Sequence, residues 1–119
     1  MVGLDLDAPY PSFQQLGPIL HWLQSDLKAG NPPEATPLET AEPFIADYIG
    51  PAPPPGSAPH RYVFFLYEQP EKFDGLVQKY APKGGQKLGK WSRMWASLDD
   101  WEQKLGLGEV IAANYFKSN

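Results

Sequence analysis

Fourteen of the 119 residues are proline, and they are spread along the chain rather than gathered in one tail. Proline fixes φ, donates no backbone hydrogen bond and pushes the residue before it toward extended conformations. A chain interrupted this often suits short strands, turns and brief helices; it excludes a bundle of long helices. Apolar residues make up 42 % of the sequence, enough for a core, so intrinsic disorder is not expected. The length fits one domain, residues 1–119, and is too short for two.

Charge and composition narrow the partners. A net charge of −4 argues against nucleic acid or an anionic membrane surface. Without cysteine there are no disulfides, no thiolate chemistry and no cysteine-ligated metal. Nothing else has metal-ligand spacing, so neither metal nor cofactor is expected. No apolar run is long enough for a transmembrane segment. Met1 runs directly into Val2, Gly3, Leu4 and Asp5 with no visible signal peptide, which predicts a cytoplasmic protein.

The chain then divides into short elements. Val2 to Leu4 reads as the end of a strand, Tyr10 to Pro18 as loop, and Ile19 to Leu23 as a short apolar strand. Residues 31–43 hold four prolines and few apolar side chains, which predicts a surface connection. Phe44 to Ile49 reads as a short extended piece, and Pro51 to Gly56 as loop. Tyr62 to Tyr67 is the strongest strand, and its unbroken apolarity predicts burial on both faces. Phe73, Leu76, Val77 and Tyr80 repeat at helical spacing and predict about three turns of amphipathic helix. Ser97, followed by Asp99 and Asp100, is a helix-start pattern; Leu98, Trp101 and Leu105 share a face, and Gly106 suits the stop. Val110 to Phe116 reads as a last strand. The sum is mainly β with two short peripheral helices. Trp91, Trp95 and Trp101 are expected to serve packing rather than ligand stacking.

Asp5, Asp7, His21, His60 and Tyr62 all fall near strand ends, where side chains from distant segments can converge. Singly, each has a plain reading. Acids before a proline favour a local turn, a histidine in an apolar strand is usually a hydrogen-bonded core residue, and His60 after Pro59 suits a loop. Together they are the ingredients of a polar pocket or of general acid–base chemistry. No nucleophile with an adjacent base is visible, and Lys83 to Lys87 is too short for a phosphate-binding loop.

The residues also carry a resemblance. Asp5-Leu6-Asp7-Ala8-Pro9 resembles the D-P-D-x-P motif of the phosphatidylethanolamine-binding protein family, and Ala58-Pro59-His60-Arg61 its G-x-H-R motif. Ile19 to Leu23 is similar to the segment holding the family's other pocket histidine. Asp47-Tyr48-Ile49-Gly50 through Pro53-Pro54-Pro55-Gly56 resembles the family's D-Y-x-G-x-x-P-P-x-G loop. Tyr67-Glu68-Gln69 matches the Y-E-Q after the family's strand, and Ala112 to Phe116 the closing strand of fungal members. The likeness spans nearly the whole chain.

It implies an antiparallel β-sandwich with a pocket for a small phosphate- or carboxylate-like anion. Ligand-binding positions would be Asp5, Asp7, Pro9, His21, Pro54, His60 and Tyr62, with the bond before Pro9 cis and Arg61 holding the loop. It also implies a lipid-headgroup binder or an inhibitor of a protease or kinase pathway, hence a protein target. The alternative is a fungal secondary-metabolism enzyme, an acid–base isomerase or cyclase using Asp5, Asp7, His21, His60 and Tyr62. Members begin with strands that precede the first motif, so the chain reads as N-terminally truncated, with a homo-oligomer as one way to cover the edge. Leu6 replaces the first motif's proline and Ala58 the second motif's glycine, a concern if that position needs positive φ. Two carboxylates repel an anion, which predicts that Asp5 or Asp7 titrates above its ordinary value.

Overall fold

The computed structural model describes residues 1–119. Four antiparallel strands form the main sheet: β1 (Val2–Asp5), β2 (Ile19–Leu23), β5 (His60–Tyr67) and β6 (Val110–Ser118), in the order β2-β1-β5-β6. Two two-residue strands, β3 (Lys28–Ala29) and β4 (Leu38–Glu39), pair separately inside the proline-rich surface connection. Helices α1 (Asp74–Tyr80) and α2 (Leu98–Leu105) complete the mainly β architecture.

Alternation along β1 and β5 assigns the two faces of the sheet. Val2 and Leu4 pair with Phe65 and Val63, and on their side they join Leu20, Leu23, Ile45, Phe73, Val77 and Leu105 in the core. Asp5 pairs with Tyr62 on the opposite face, with His60 two residues away. There an aromatic ladder runs from His60 over Tyr62 to Phe116 and Phe64, with successive ring centroids 6.3, 5.3 and 6.0 Å apart. Gly3 leaves the gap that this ladder fills: a Cβ there would lie 2.7 Å from Phe64 Cε1. Gly3→Ala is therefore expected to displace the Phe64 ring and cost about 1–2 kcal/mol in a urea melt.

Several local expectations hold. Ser97 Oγ accepts from the Asp100 N–H at 3.2 Å, and Gly106 closes α2 in the left-handed region at φ 60°. Of the extended piece expected over Phe44 to Ile49, one bridge forms, Leu23 N donating to Ala46 O, while Ile45 sits at a bend. Others are corrected. β5 is not buried on both faces: Val63 to Leu66 are half-buried, because β6 beyond it is exposed almost throughout and has no further strand at its edge. The first helix makes two turns, not three, since Phe73 acts as the residue before it and Pro82 follows closely. Trp91 and Trp95 lie outside the core, 77 % and 59 % exposed. Only Trp101 packs, edge-on to Tyr80 at 5.9 Å.

Candidate functional site

The site is built where β1, β2 and β5 deliver polar side chains to one end of the sheet. In β2 the register shifts: Gly3 pairs with Trp22 and Leu4 with Leu20, so His21 is an extra, unpaired residue. A bulge of this kind re-aims a side chain. The backbone of His21 is held instead by Ile49, whose N–H donates to His21 O at 2.9 Å. The ring is held by the same residue, with Nδ1 2.9 Å from Ile49 O. A carbonyl can only accept, so Nδ1 carries the proton and Nε2 is left without a protein partner. Burial, reinforced by the charge of Arg93, holds the imidazole below its ordinary pKa, against opposing pulls from Ile49 O and Asp5.

His60 is placed differently. It is 1 % exposed, and both ring nitrogens are engaged: Nδ1 lies 2.8 Å from Asp5 Oδ2, and Nε2 3.0 Å from Ser57 Oγ. The other Asp5 oxygen accepts the Asp7 N–H at 2.9 Å, closing the turn that the acidic motif suggests. Asp7 points away from the cavity and is gripped by Arg61. The guanidinium donates from Nε to Oδ2 at 2.9 Å and from Nη2 to Oδ1 at 2.8 Å, while the Arg61 N–H and Gln14 add two more bonds. This bidentate pairing holds the Asp7 carboxyl below its ordinary value. The expected upward titration does not apply to Asp7. The reason is Arg61, which acts as the loop holder that the resemblance implies.

Asp7 is thus neutralised by Arg61, while the Asp5 carboxylate is occupied by two internal donors, His60 Nδ1 and the Asp7 N–H. Tyr62 lies behind the wall, meeting His21 edge-on at 5.1 Å. Its buried hydroxyl has no hydrogen-bond partner. Burial, with Asp5 nearby, pushes it up to about 12, so it stays a neutral phenol.

In front of these groups opens a cavity of about 550 Å³. Asp5, Pro9, His21, Pro54 and His60 line it, whereas Asp7 and Tyr62 do not. The peptide bond before Pro9 is cis. Ala58 does not adopt positive φ, so the glycine-to-alanine departure carries no backbone strain.

Three cations that also line the cavity were not legible as site residues: Lys87, Lys90 and Arg93. Arg93 is 3 % exposed and pairs with the Asp47 carboxylate; it also donates to Leu20 O, Asp47 O and Leu88 O. One guanidinium therefore ties β2, the Asp47 loop and the Leu88 segment together. No spacing in the sequence links positions 47 and 93. Ser57 was missed as well, and with it a hydroxyl directly beside a base.

Comparison with known proteins follows the same residues. Residues 1–116 match the family model described as phosphatidylethanolamine-binding protein. The carboxypeptidase Y inhibitor of Saccharomyces cerevisiae is 33 % identical, over 98 % of this chain and 57 % of its own length. The phomoidride biosynthesis cluster protein N of Talaromyces stipitatus is also 33 % identical, over 98 % of this chain and 55 % of that protein. The chain thus spans about half the length of the curated relatives it matches. A crystal structure of carboxypeptidase Y inhibitor, complexed with its cognate proteinase, superposes with a TM-score of 0.70 at 28 % identity, covering 98 % of this chain and 56 % of that one. Family model, relatives and fold agree: the chain belongs to the phosphatidylethanolamine-binding protein family.

Proposed function

We propose that this chain is a binding module whose cavity takes a small carboxylate- or phosphate-like anion. The observation that carries this reading is the state of the polar groups at the cavity. Asp5 and Asp7 are consumed by His60 and Arg61, while His21 Nε2 has no protein partner and Lys87 and Lys90 line the same cavity. An incoming anion meets one imidazole that can become a donor and two unspent cations.

Titration with phosphoethanolamine and with acetate, followed by NMR, tests it. Saturable binding with perturbation of His21 signals is expected, and His21→Asn is expected to weaken it about tenfold, the loss of one charge-assisted hydrogen bond. Binding that leaves His21 signals unmoved would count against the assignment.

Similarity to a carboxypeptidase inhibitor supports a protein target of the peptidase class. A direct carboxypeptidase assay with the purified chain reads this arm. A second reading, an acid–base enzyme of fungal secondary metabolism, is favoured by the biosynthesis-cluster relatives. Turnover of an anhydride or similar acid that His60→Ala abolishes would select it.

A further inference from the structure

Ser57 completes a chain of hydrogen bonds that the sequence does not announce. We propose that Ser57, His60 and Asp5 form an acyl-transfer relay beside the cavity, acting on activated esters of carboxylic acids with a small apolar body. Ser57 is the nucleophile, His60 its base, and Asp5 a positioning residue. The proposal goes beyond the anion-binding reading and does not depend on it.

Proton placement comes first. The Asp5 carboxylate, 2.8 Å from His60 Nδ1, can only accept, so the neutral ring carries its proton on Nδ1 and offers a lone pair at Nε2. Ser57 Oγ lies 3.0 Å from that lone pair. Nucleophile, base and orienting acid stand within hydrogen-bond reach in the required order. Asp5 and His60 are both buried, which fixes the ring, whereas Ser57 is only half-buried and can be reached. Ala58 O, 2.8 Å from Oγ, competes for the hydroxyl proton in the resting state.

Presentation and charge stabilisation come next. Ser57 closes a tight turn, its N–H donating to Pro54 O at 3.0 Å across Gly56 at φ 79°. Ser57 does not itself line the cavity; Pro54, at the start of the turn, and His60, whose Nε2 it meets, both do. The N–H of the next residue, Ala58, has no acceptor within the chain. A free N–H just after the nucleophile is where an oxyanion donor is needed. Ile19, Ile49 and Leu16 in the cavity wall suit an apolar acyl body.

The chemistry balances. Oγ attacks the acyl carbon while its proton passes to Nε2; the ester C–O bond then breaks, and the leaving oxygen departs with the electron pair and takes that proton. Water attacks the acyl-serine and gives a proton to Nε2. The C–Oγ bond breaks, Oγ regains the proton, and a carboxylic acid is released.

The test treats the full chain with p-nitrophenyl acetate and p-nitrophenyl butanoate, following p-nitrophenolate release, intact mass and the acylated peptide. A burst approaching one equivalent per chain is expected, with the acyl group on Ser57 and a rate that rises with pH to a plateau. Ser57→Ala, checked for an unchanged circular dichroism spectrum, is expected to lose at least about 100-fold in acylation rate. Acylation confined to lysines or the N-terminus, no acylation, or an undiminished burst in Ser57→Ala would each overturn the relay. Phosphoethanolamine binding, measured on the same wild-type sample, separates the two readings. Binding without Ser57 acylation rejects the relay alone, and acylation without binding supports the relay while rejecting the anion site.

Discussion

Arg93→Ala is expected to lower stability by about 3–5 kcal/mol, the cost of removing one partner from a buried ion pair. In this fold the loss is compounded. The substitution leaves the Asp47 carboxylate unpaired and takes the donor from three carbonyls, those of Leu20, Asp47 and Leu88. For a domain whose total stability is on the order of 5–15 kcal/mol, that is a large fraction. A fall in melting temperature of at least about 10 °C should accompany it. Arg93→Lys keeps a charge but not the planar fork that reaches four acceptors, so it should recover only part of the loss. A thermal melt within about 2 °C of wild type for Arg93→Ala would mean that this guanidinium does not hold the three segments together.

Asp5→Ala should have the second largest effect, about 3 kcal/mol. Its two oxygens accept from two different buried donors, His60 Nδ1 and the Asp7 N–H. Alanine leaves both unsatisfied, at about 1–3 kcal/mol each. Asp5→Asn keeps one accepting oxygen and should cost roughly half as much. Chemical denaturation of the two variants reads the difference directly. Equal midpoints would show that one of the two bonds contributes nothing. Asp7 contrasts with this, since its partner Arg61 is half-exposed and the pair is partly screened. The Asp7 contribution persists above the ordinary carboxyl value of 3.8 and fades only as pH falls through the lowered one.

The parts of the fold written in local patterns were legible. Ser97, Gly106 and the proline punctuation speak through backbone geometry within a few residues, and the structure follows them. The acidic motif, both histidines and the role of Arg61 were legible through resemblance. What sequence could not supply was pairing at a distance. The upward titration expected of Asp5 or Asp7 fails at Asp7 because its partner Arg61 lies 54 positions away; Asp47 and Arg93 are 46 positions apart. The bulge that frees His21 Nε2 depends on register between two strands, which alternating hydrophobicity does not encode. Burial of β5 was overestimated because apolarity in a strand reports what its neighbours could cover. Here β6 is exposed on both faces.

The central claim is that both acids are spent inside the protein, so an anion at the cavity is received by His21 and the lysines. Trifluoroacetate stays ionised throughout the useful pH range, so only protein groups titrate in a 19F NMR binding series from about pH 5 to 9. An anion favours the protonated imidazole, and binding therefore raises the His21 pKa from its depressed free value. Affinity should be highest at the acid end, fall as pH rises through the His21 transition, and level at a weaker value set by Lys87 and Lys90. His21→Asn should show that weaker value at every pH. Wild-type affinity that is flat across the range, or that increases toward pH 9, would contradict the claim.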